Sequence, residues 1–328
     1  MSHGKPPGKA EKPLAFTVLG AGPVGTACAA LAAGRGHHVT LWSPRGGGTR
    51  SIGGAIATHG LMEGHFPVRI AADIGRAIES ADAVMVVVPG HAQGPLMERL
   101  ARVITGRPAV LVAPAASLSP MLLDRMLAPR GITAEVGGLA AAPLAARRLA
   151  DGVLWVGALR PILWLGADVA APRLAAVATA LFGRPVRELG GLLGASLAEM
   201  SGLADAAQLL APPGDPEAAG RLLAALAADR GALALRLGLT LPDAAGYFAE
   251  IGGLPPLEPA RAMSQAGLAL SFLATLGSAT ATALPMTEAA LRLLEVTSGR
   301  PMRSNAVLGT LGEAVVRGLV ARGRPRAA

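Results

Sequence analysis

Scarcity describes this 328-residue chain before any motif does: it has one cysteine, Cys28, and only 3% aromatic residues. A single thiol cannot close an intramolecular disulfide, so a packed core must hold the fold, and a reducing, cytoplasmic compartment is expected. Charged residues make up 16%, and no basic stripe is interleaved with aromatics, which argues against nucleic acid as a partner. The net charge of +8 comes from dispersed arginines and a basic C-terminal tail, and it suits attraction of anionic small molecules. Long apolar runs are missing as well. Residues 83–89 are too few to span a bilayer, 153–171 are interrupted by Arg160, Pro161 and Asp168, and 266–285 are threaded with Gly, Ser and Thr. With 52% hydrophobic residues and a positive mean hydropathy, the expectation is a soluble protein whose Ala- and Gly-rich helices pack closely. Scattered histidines and a lone cysteine give no metal-ligand pattern. Residues 1–13 are polar and lack an apolar centre, so they read as a disordered tail rather than a signal peptide.

The densest information lies in residues 16–45, FTVLGAGPVGTACAALAAGRGHHVTLWSPR. A short apolar run ends at Gly20, and Gly20, Gly22 and Gly25 form G-x-G-x-x-G. A small-residue helix follows from about Val24 to Gly34, with Pro23 and Val24 expected to touch the cofactor at its start, and a second strand follows at 38–42. Strand, glycine turn, helix and strand in that order make a dinucleotide-binding fingerprint. Gly20 allows the tight turn, Gly22 lets a pyrophosphate approach the backbone, and Gly25 lets helix and strand pack closely. The pyrophosphate would sit on the free N–H groups at the helix start. An acid at the end of the second strand would select NAD, but this chain has Trp42, Ser43, Pro44 and Arg45 there, with Arg50 beyond. Ser43, Arg45 and Arg50 suit a 2′-phosphate, so NADP(H) is the expected cofactor. Val88 and Pro89, at the end of another strand, complete the expected cofactor contacts.

Strands at 68–70, 83–88, 109–113, 132–136, 153–156 and 162–165 alternate with helices at 74–80, 94–104 and 172–181. This pattern predicts an α/β fold, an N-terminal Rossmann-type doubly wound parallel sheet. From about residue 189 the spacing becomes helical, at 194–210, 217–237, 262–276 and 286–297, predicting an all-α C-terminal domain. The expected division is a tail (1–13), a dinucleotide-binding domain (14–189), a helical substrate or dimerisation domain (190–320) and a basic tail (321–328). The active site is expected in the cleft between the two domains.

The segments VTLW (39–42), ESADAVMVVVP (79–89), AEVGGLAAAPLAARRLADGVLWVGA (134–158), LAADRGALALRLGL (226–239) and LPMTEAALRLLEVTSGR (284–300) occur in an order that resembles the opine dehydrogenases. The glycerol-3-phosphate dehydrogenases and ketopantoate reductases are more distant likenesses. The resemblance implies hydride transfer from NAD(P)H to an imine formed between an amine, often an amino acid, and an α-keto acid. It also implies a catalytic histidine on the first long helix of the second domain. That position falls near residues 204–206, where Asp205 is the nearest polar group, and all six histidines lie in the first third of the chain. The lysine of the more distant relatives is missing from that helix too.

The loss of that proton donor narrows the chemistry. Reducing a neutral ketone needs a proton at the developing alkoxide, and a missing acid costs about a hundredfold or more. A protonated imine is already electrophilic, and a nearby carboxylate stabilises it. The leading expectation is therefore an NADPH-dependent imine reductase acting on a carboxylate- and amine-bearing substrate or a cyclic imine. The alternatives are a 2-keto acid or ketopantoate-like carbonyl reductase, and a catalytically degenerate homologue that still binds NADP. Asp205 and His91 are the candidate catalytic residues. Gln93, Arg147, Arg148, Ser201 and Arg261 are the candidate substrate contacts, with the arginines as carboxylate clamps. The small-residue helix over 266–283 could pair two copies into a homodimer, or pack in its own core.

Overall fold

The computed structural model describes residues 7–168 and 172–323, apart from the side chains of Arg45, Ala260 and Arg322. Alternation within each strand decides the first layer. In β1 (Ala15–Leu19), Phe16 and Val18 join the core on one face of a sheet, and Leu19 joins the core on the other. α1 (Pro23–Gly34) is buried along most of its length, which its run of Ala and Gly permits. β2 (His38–Trp42) pairs parallel to β1, setting Leu19 opposite Trp42. β3 (Ala55–Gly60) and β4 (Gly64–Pro67) form a hairpin, and β5 (Arg69–Ile70) returns to β2.

α2 (Ile74–Ile78), β6 (Ala83–Val86), α3 (Gly90–Val103), β7 (Ala109–Val112), α4 (Ser119–Leu127) and β8 (Glu135–Leu139) continue the alternation. β9 (Leu144–Arg148) and β10 (Leu154–Leu159) pair with each other, and β10 also pairs with β3. β11 (Leu163–Gly166), α5 (Pro172–Phe182) and β12 (Val186–Glu188) complete this half. The main sheet has eight strands in the order β12-β11-β8-β7-β6-β1-β2-β5, parallel except between β11 and β8. A Rossmann-type parallel sheet was expected and is present.

The four-stranded sheet β4-β3-β10-β9 was not foreseen. It lies over α1, sharing a core cluster with α1 and α5. Of its strands only β10 falls on an expected one, at 153–156; β3, β4 and β9 are short segments without long apolar runs, so tertiary packing defines them.

The second half is helical: α6 (Gly191–Ala198), α7 (Ser201–Leu210), α8 (Pro216–Arg236), α9 (Ala244–Ala249), α10 (Pro259–Thr280), α11 (Pro285–Ser298), α12 (Ala306–Leu311) and α13 (Glu313–Gly323). The single helix expected over 194–210 is two helices, broken at Glu199 and Met200. α10 is the central helix. Ala266, Leu270 and Leu276 are fully buried in it, and it packs on α3, α7, α8, α11 and α13. The face proposed for pairing two copies is thus largely spent inside the chain's own core.

The tail expected to be disordered is partly pinned: Ala10 N–H donates to the Arg35 carbonyl at 2.8 Å, and Arg35 Nη1 donates to the Gly8 carbonyl. Residues 1–6 of that tail, and 324–328 of the basic tail, lie outside the described residues.

Candidate functional site

The glycine turn behaves as its spacing demands. Gly20 has φ +129°, and a Cβ there would overlap the Val87 carbonyl oxygen. A Cβ on Gly25 would overlap the Gly20 carbonyl oxygen, so α1 can approach β1 only without one. Gly22 differs: a Cβ on it would meet nothing within 4 Å. It is the exposed N-cap of α1 and makes no side-chain cap bond, and Pro23 follows at the first helical position. The helix therefore offers its first N–H groups to open space, which fits a pyrophosphate.

At the end of β2, Ser43 is 8% exposed and its Oγ accepts the Gly48 N–H at 3.3 Å. Gly48 packs on Ala21, so the loop after β2 folds back onto the glycine turn. Among the described residues no acid stands at this strand end. The Arg45 side chain lies outside the described residues, and Arg50 is exposed and has a partner of its own. Val88 is half-buried and Pro89 exposed, both at the carboxyl edge of the sheet where a dinucleotide sits in folds of this kind.

The two halves close on each other just beyond this edge. Gly90, the first residue of α3, would place a Cβ 2.6 Å from Leu268 of α10. Its N–H donates to Gln265 Oε1 at 3.1 Å, and Gln265 Nε2 reaches Asp205 Oδ2 at 3.5 Å. Gln265 thus links the nucleotide half to α7. Asp205 is 4% exposed, and burial raises its carboxyl from 3.8 to about 6, opposed by Arg261 and Gln265. Arg261 lies on the first turn of α10, 3.7 Å from Glu258, with its Nε buried and unpartnered.

Beside this link is a cavity of about 20 Å³, room for a water or so. Ser117, Ser196, Glu199, Ser201 and Gln265 supply its polar walls, with Leu268, Phe272 and Leu273 among the apolar ones. The wall at Ser117 and Leu118 is strained: both are buried and have positive φ, 50° and 65°. Asn305 Nδ2 holds this turn from behind through Ser117 Oγ at 3.0 Å, and Ser196 Oγ accepts the Leu118 N–H at 3.1 Å.

Several expected site residues stand elsewhere. Gln93 is fully buried in α3, not on a loop. Its Nε2 donates to the Val88 and Pro114 carbonyls and its Oε1 accepts from Ser119, so it ties strand ends together. Arg147 stacks on Trp155 at 4.9 Å and Arg148 bonds the Gly152 carbonyl, both exposed on β9 in the outer sheet. Neither reaches the cavity. His91 is exposed in the first turn of α3 and is not among the cavity walls. Ser201 is a cavity wall; Asp205, with Arg261 near it, stands behind the wall and reaches it through Gln265.

Glu199, not among the candidates above, is a wall residue: on a continuous helix its i−6 spacing from Asp205 would face it elsewhere, but across the break it is 9% exposed and lines the cavity.

Fold and glycine turn together define a Rossmann-type half packed on a helical half, with two buried carboxyls, Glu199 and Asp205, near the small cavity where they meet. Residues 15–115 match the model of the NAD-dependent glycerol-3-phosphate dehydrogenase N-terminus. A glycerol-3-phosphate dehydrogenase [NAD(P)+] of Anaeromyxobacter dehalogenans is 36% identical over 110 residues, 32% of this chain and 33% of that protein. The corresponding protein of Parvibaculum lavamentivorans is 33% identical over 146 residues, 42% of this chain and 44% of that one. The chain thus spans well under half the length of these curated relatives.

Octopine dehydrogenase in complex with NADH and agmatine superimposes with a TM-score of 0.69 at 14% identity, over 94% of this chain and 95% of that one. NADP+-bound yersinopine dehydrogenase gives 0.68 at 14%, over 94% and 99%. A 2-dehydropantoate 2-reductase from Methylococcus capsulatus gives 0.63 at 19%, over 89% and 100%. The fold is that of the opine dehydrogenase-like group, shared with the ketopantoate reductases.

Proposed function

We propose that this chain is an NADP(H)-dependent oxidoreductase that reduces a carbon–nitrogen double bond. The substrate is an imine formed from an amine or amino acid and a keto acid, or a preformed cyclic imine. The observation that carries the reading is the composition of the cleft. Its proton-holding groups are two buried carboxyls, Asp205 and Glu199, and no histidine or lysine occurs in the helical half. Such a site repays the burial of its carboxyls by binding a cation, and a protonated imine is one.

The Gly20–Gly25 turn and the N-terminus of α1 would hold the pyrophosphate, with Ser43, Arg45 and Arg50 toward the 2′-phosphate. When bound, the nicotinamide supplies a hydride. The chain's own groups close the cleft, exclude water, and keep a proton on a carboxyl oxygen near neutral pH. Arg261, near Asp205 and with its Nε unpartnered, would pair with a substrate carboxylate. The superimposable dehydrogenases bound to NADH with agmatine and to NADP+ support the same reading.

The test is NADPH oxidation with cyclic imines and with amine plus α-keto-acid pairs, each keto acid also run alone. Turnover that requires an imine is expected. Turnover of a keto acid alone moves the assignment to carbonyl reduction, and intact NADPH binding without turnover identifies a protein that has lost its chemistry.

A further inference from the structure

The break between α6 and α7 is held from several sides at once. Glu199 is extended there (φ −67°, ψ 127°). The break leaves the last carbonyls of α6 without helical partners. Arg230 of α8, 4% exposed, points Nη1 at two of them, Leu197 at 3.3 Å and Ala198 at 3.4 Å, and Nη2 at the Pro242 carbonyl at 3.0 Å. Tyr247 of α9 donates to the Ala140 carbonyl at 3.2 Å and receives the Met200 N–H. A continuous helix would have satisfied all these α6 carbonyls unaided. The chain instead commits a buried arginine and a buried tyrosine to keep the helix open at Glu199. The result is a carboxyl in the cavity wall.

Asp205 is not in that wall. It meets the cavity only through Gln265, 3.5 Å away. Glu199 accepts hydrogen bonds from Ser201 N–H at 2.6 Å, from Ser201 Oγ and from Gly202 N–H, and the charges that face it are those of Asp205 and the Arg230 guanidinium, with the Tyr247 phenol nearby.

We infer that Glu199 is the carboxyl that meets the substrate nitrogen, and that Asp205 is a positioning residue acting through Gln265. The inference rests on the imine-reducing reading above. Protonated Glu199 gives its proton to the imine nitrogen, and its carboxylate then pairs with the iminium. The hydride reaches the carbon, the π electrons become the nitrogen lone pair, and water returns one proton to Glu199. The net change is addition of one hydride and one proton across the carbon–nitrogen bond. Burial raises the Glu199 carboxyl above its ordinary value against the Ser201 and Gly202 bonds, and the nearby Asp205 charge raises it further, the direction a proton donor needs.

Glu199→Gln is the test, because the amide keeps the oxygen that accepts from Ser201 and so keeps the start of α7. In the full chain it should melt no lower than the wild type and bind NADPH equally well, while imine turnover falls about a hundredfold and the alkaline limb of its pH profile disappears. Asp205→Asn should lower turnover about tenfold or less and retain that limb. A larger loss in Asp205→Asn than in Glu199→Gln, or wild-type turnover in Glu199→Gln, overturns the assignment.

Carbon-13 NMR of labelled glutamate carboxyls, with the Glu199 signal identified by its loss in Glu199→Gln, gives a readout independent of turnover. The signal should titrate above the ordinary carboxylate range and shift when pyrrolidine is added with NADP+. An ordinary titration, or no shift at saturating pyrrolidine, refutes the role of Glu199. Should only a keto acid be turned over, the imine reading fails, and the same two variants assayed on that keto acid still decide which carboxyl meets substrate.

Discussion

Two alanine substitutions three residues apart should have opposite effects, because the structure gives their glycines opposite surroundings. Gly22 sits at φ −69°, ψ 172°, a conformation alanine adopts freely, and its Cβ would meet nothing within 4 Å. Gly22→Ala should therefore leave the fold intact or stabilise it by about 0.4–1 kcal/mol, through lost freedom in the unfolded chain. If a pyrophosphate lies on the α1 N-terminus, the new methyl group occupies its approach. Losing one charge-assisted hydrogen bond costs about 1.5–3 kcal/mol, a ten- to hundredfold rise in the Kd for NADPH. Gly25→Ala places its methyl on the Gly20 carbonyl oxygen and must push α1 off β1. Overpacking of this kind costs about 1–3 kcal/mol, lowering the Tm by several degrees. Thermal melts with NADPH fluorescence titrations separate the two. A Gly22→Ala protein that binds NADPH like the wild type refutes the placement of the pyrophosphate. One that melts as low as Gly25→Ala refutes the reading of open space.

Arg45→Ala should weaken NADPH about tenfold or more and leave NADH nearly unchanged, measured as the ratio of the two dissociation constants. For Asp205 the folded-state value of about 6 lies above the unfolded value of about 3.9, so its protonation favours the fold below about pH 4 and that contribution is lost as pH rises through 6. Asp205→Asn should accordingly be more stable than the wild type by about 1–3 kcal/mol at pH 8 and no different at pH 4, read from denaturant midpoints. His37 has the reverse sign. Burial lowers its pKa, and its Nδ1 accepts the Leu14 N–H at 3.1 Å, so stability present above about pH 6.5 is lost as pH falls. His37→Asn should flatten that acid limb in melts at successive pH values. Gly202→Ala would put a Cβ 2.6 Å from Ala269 and 2.7 Å from the Gln265 carbonyl, so it should cost about 1–3 kcal/mol and reduce turnover by shifting Gln265, seen in paired melts and assays.

Local signals account for what could be read along the chain. The glycine spacing and the strand–helix alternation are short-range patterns, and they located the parallel sheet and the cofactor turn. The helical half was legible as helical, but GASLAEMSGLADAAQLL contains no proline and no glycine pair at residues 199–200, so nothing local marks the break there. Arg230 and Tyr247, from helices 30 to 50 residues further on, hold it open. That one unseen break reverses the facing of Glu199. Arg147 and Arg148 lie away from the cavity for a related reason. Their strand belongs to a sheet defined by the pairing of β10 with β3 and β9, a long-range match without sequence signature. The helix expected at 94–104 starts four residues earlier, at Gly90 before its apolar spacing begins, and so takes in Gln93.

The larger apolar cluster runs without interruption from Leu19, Val86 and Val112 in the sheet, through Met97 and Leu118, to Leu203, Leu270 and Leu291 in the helical half. Two halves that share one interior cannot be expressed apart: a chain cut near residue 190 would expose a face that each piece needs the other to cover. Calorimetry of the intact protein should show one cooperative transition rather than two. A ligand must then gain entry by local give around Gln265 and Ser117, since swinging one half away from the other would open the core itself.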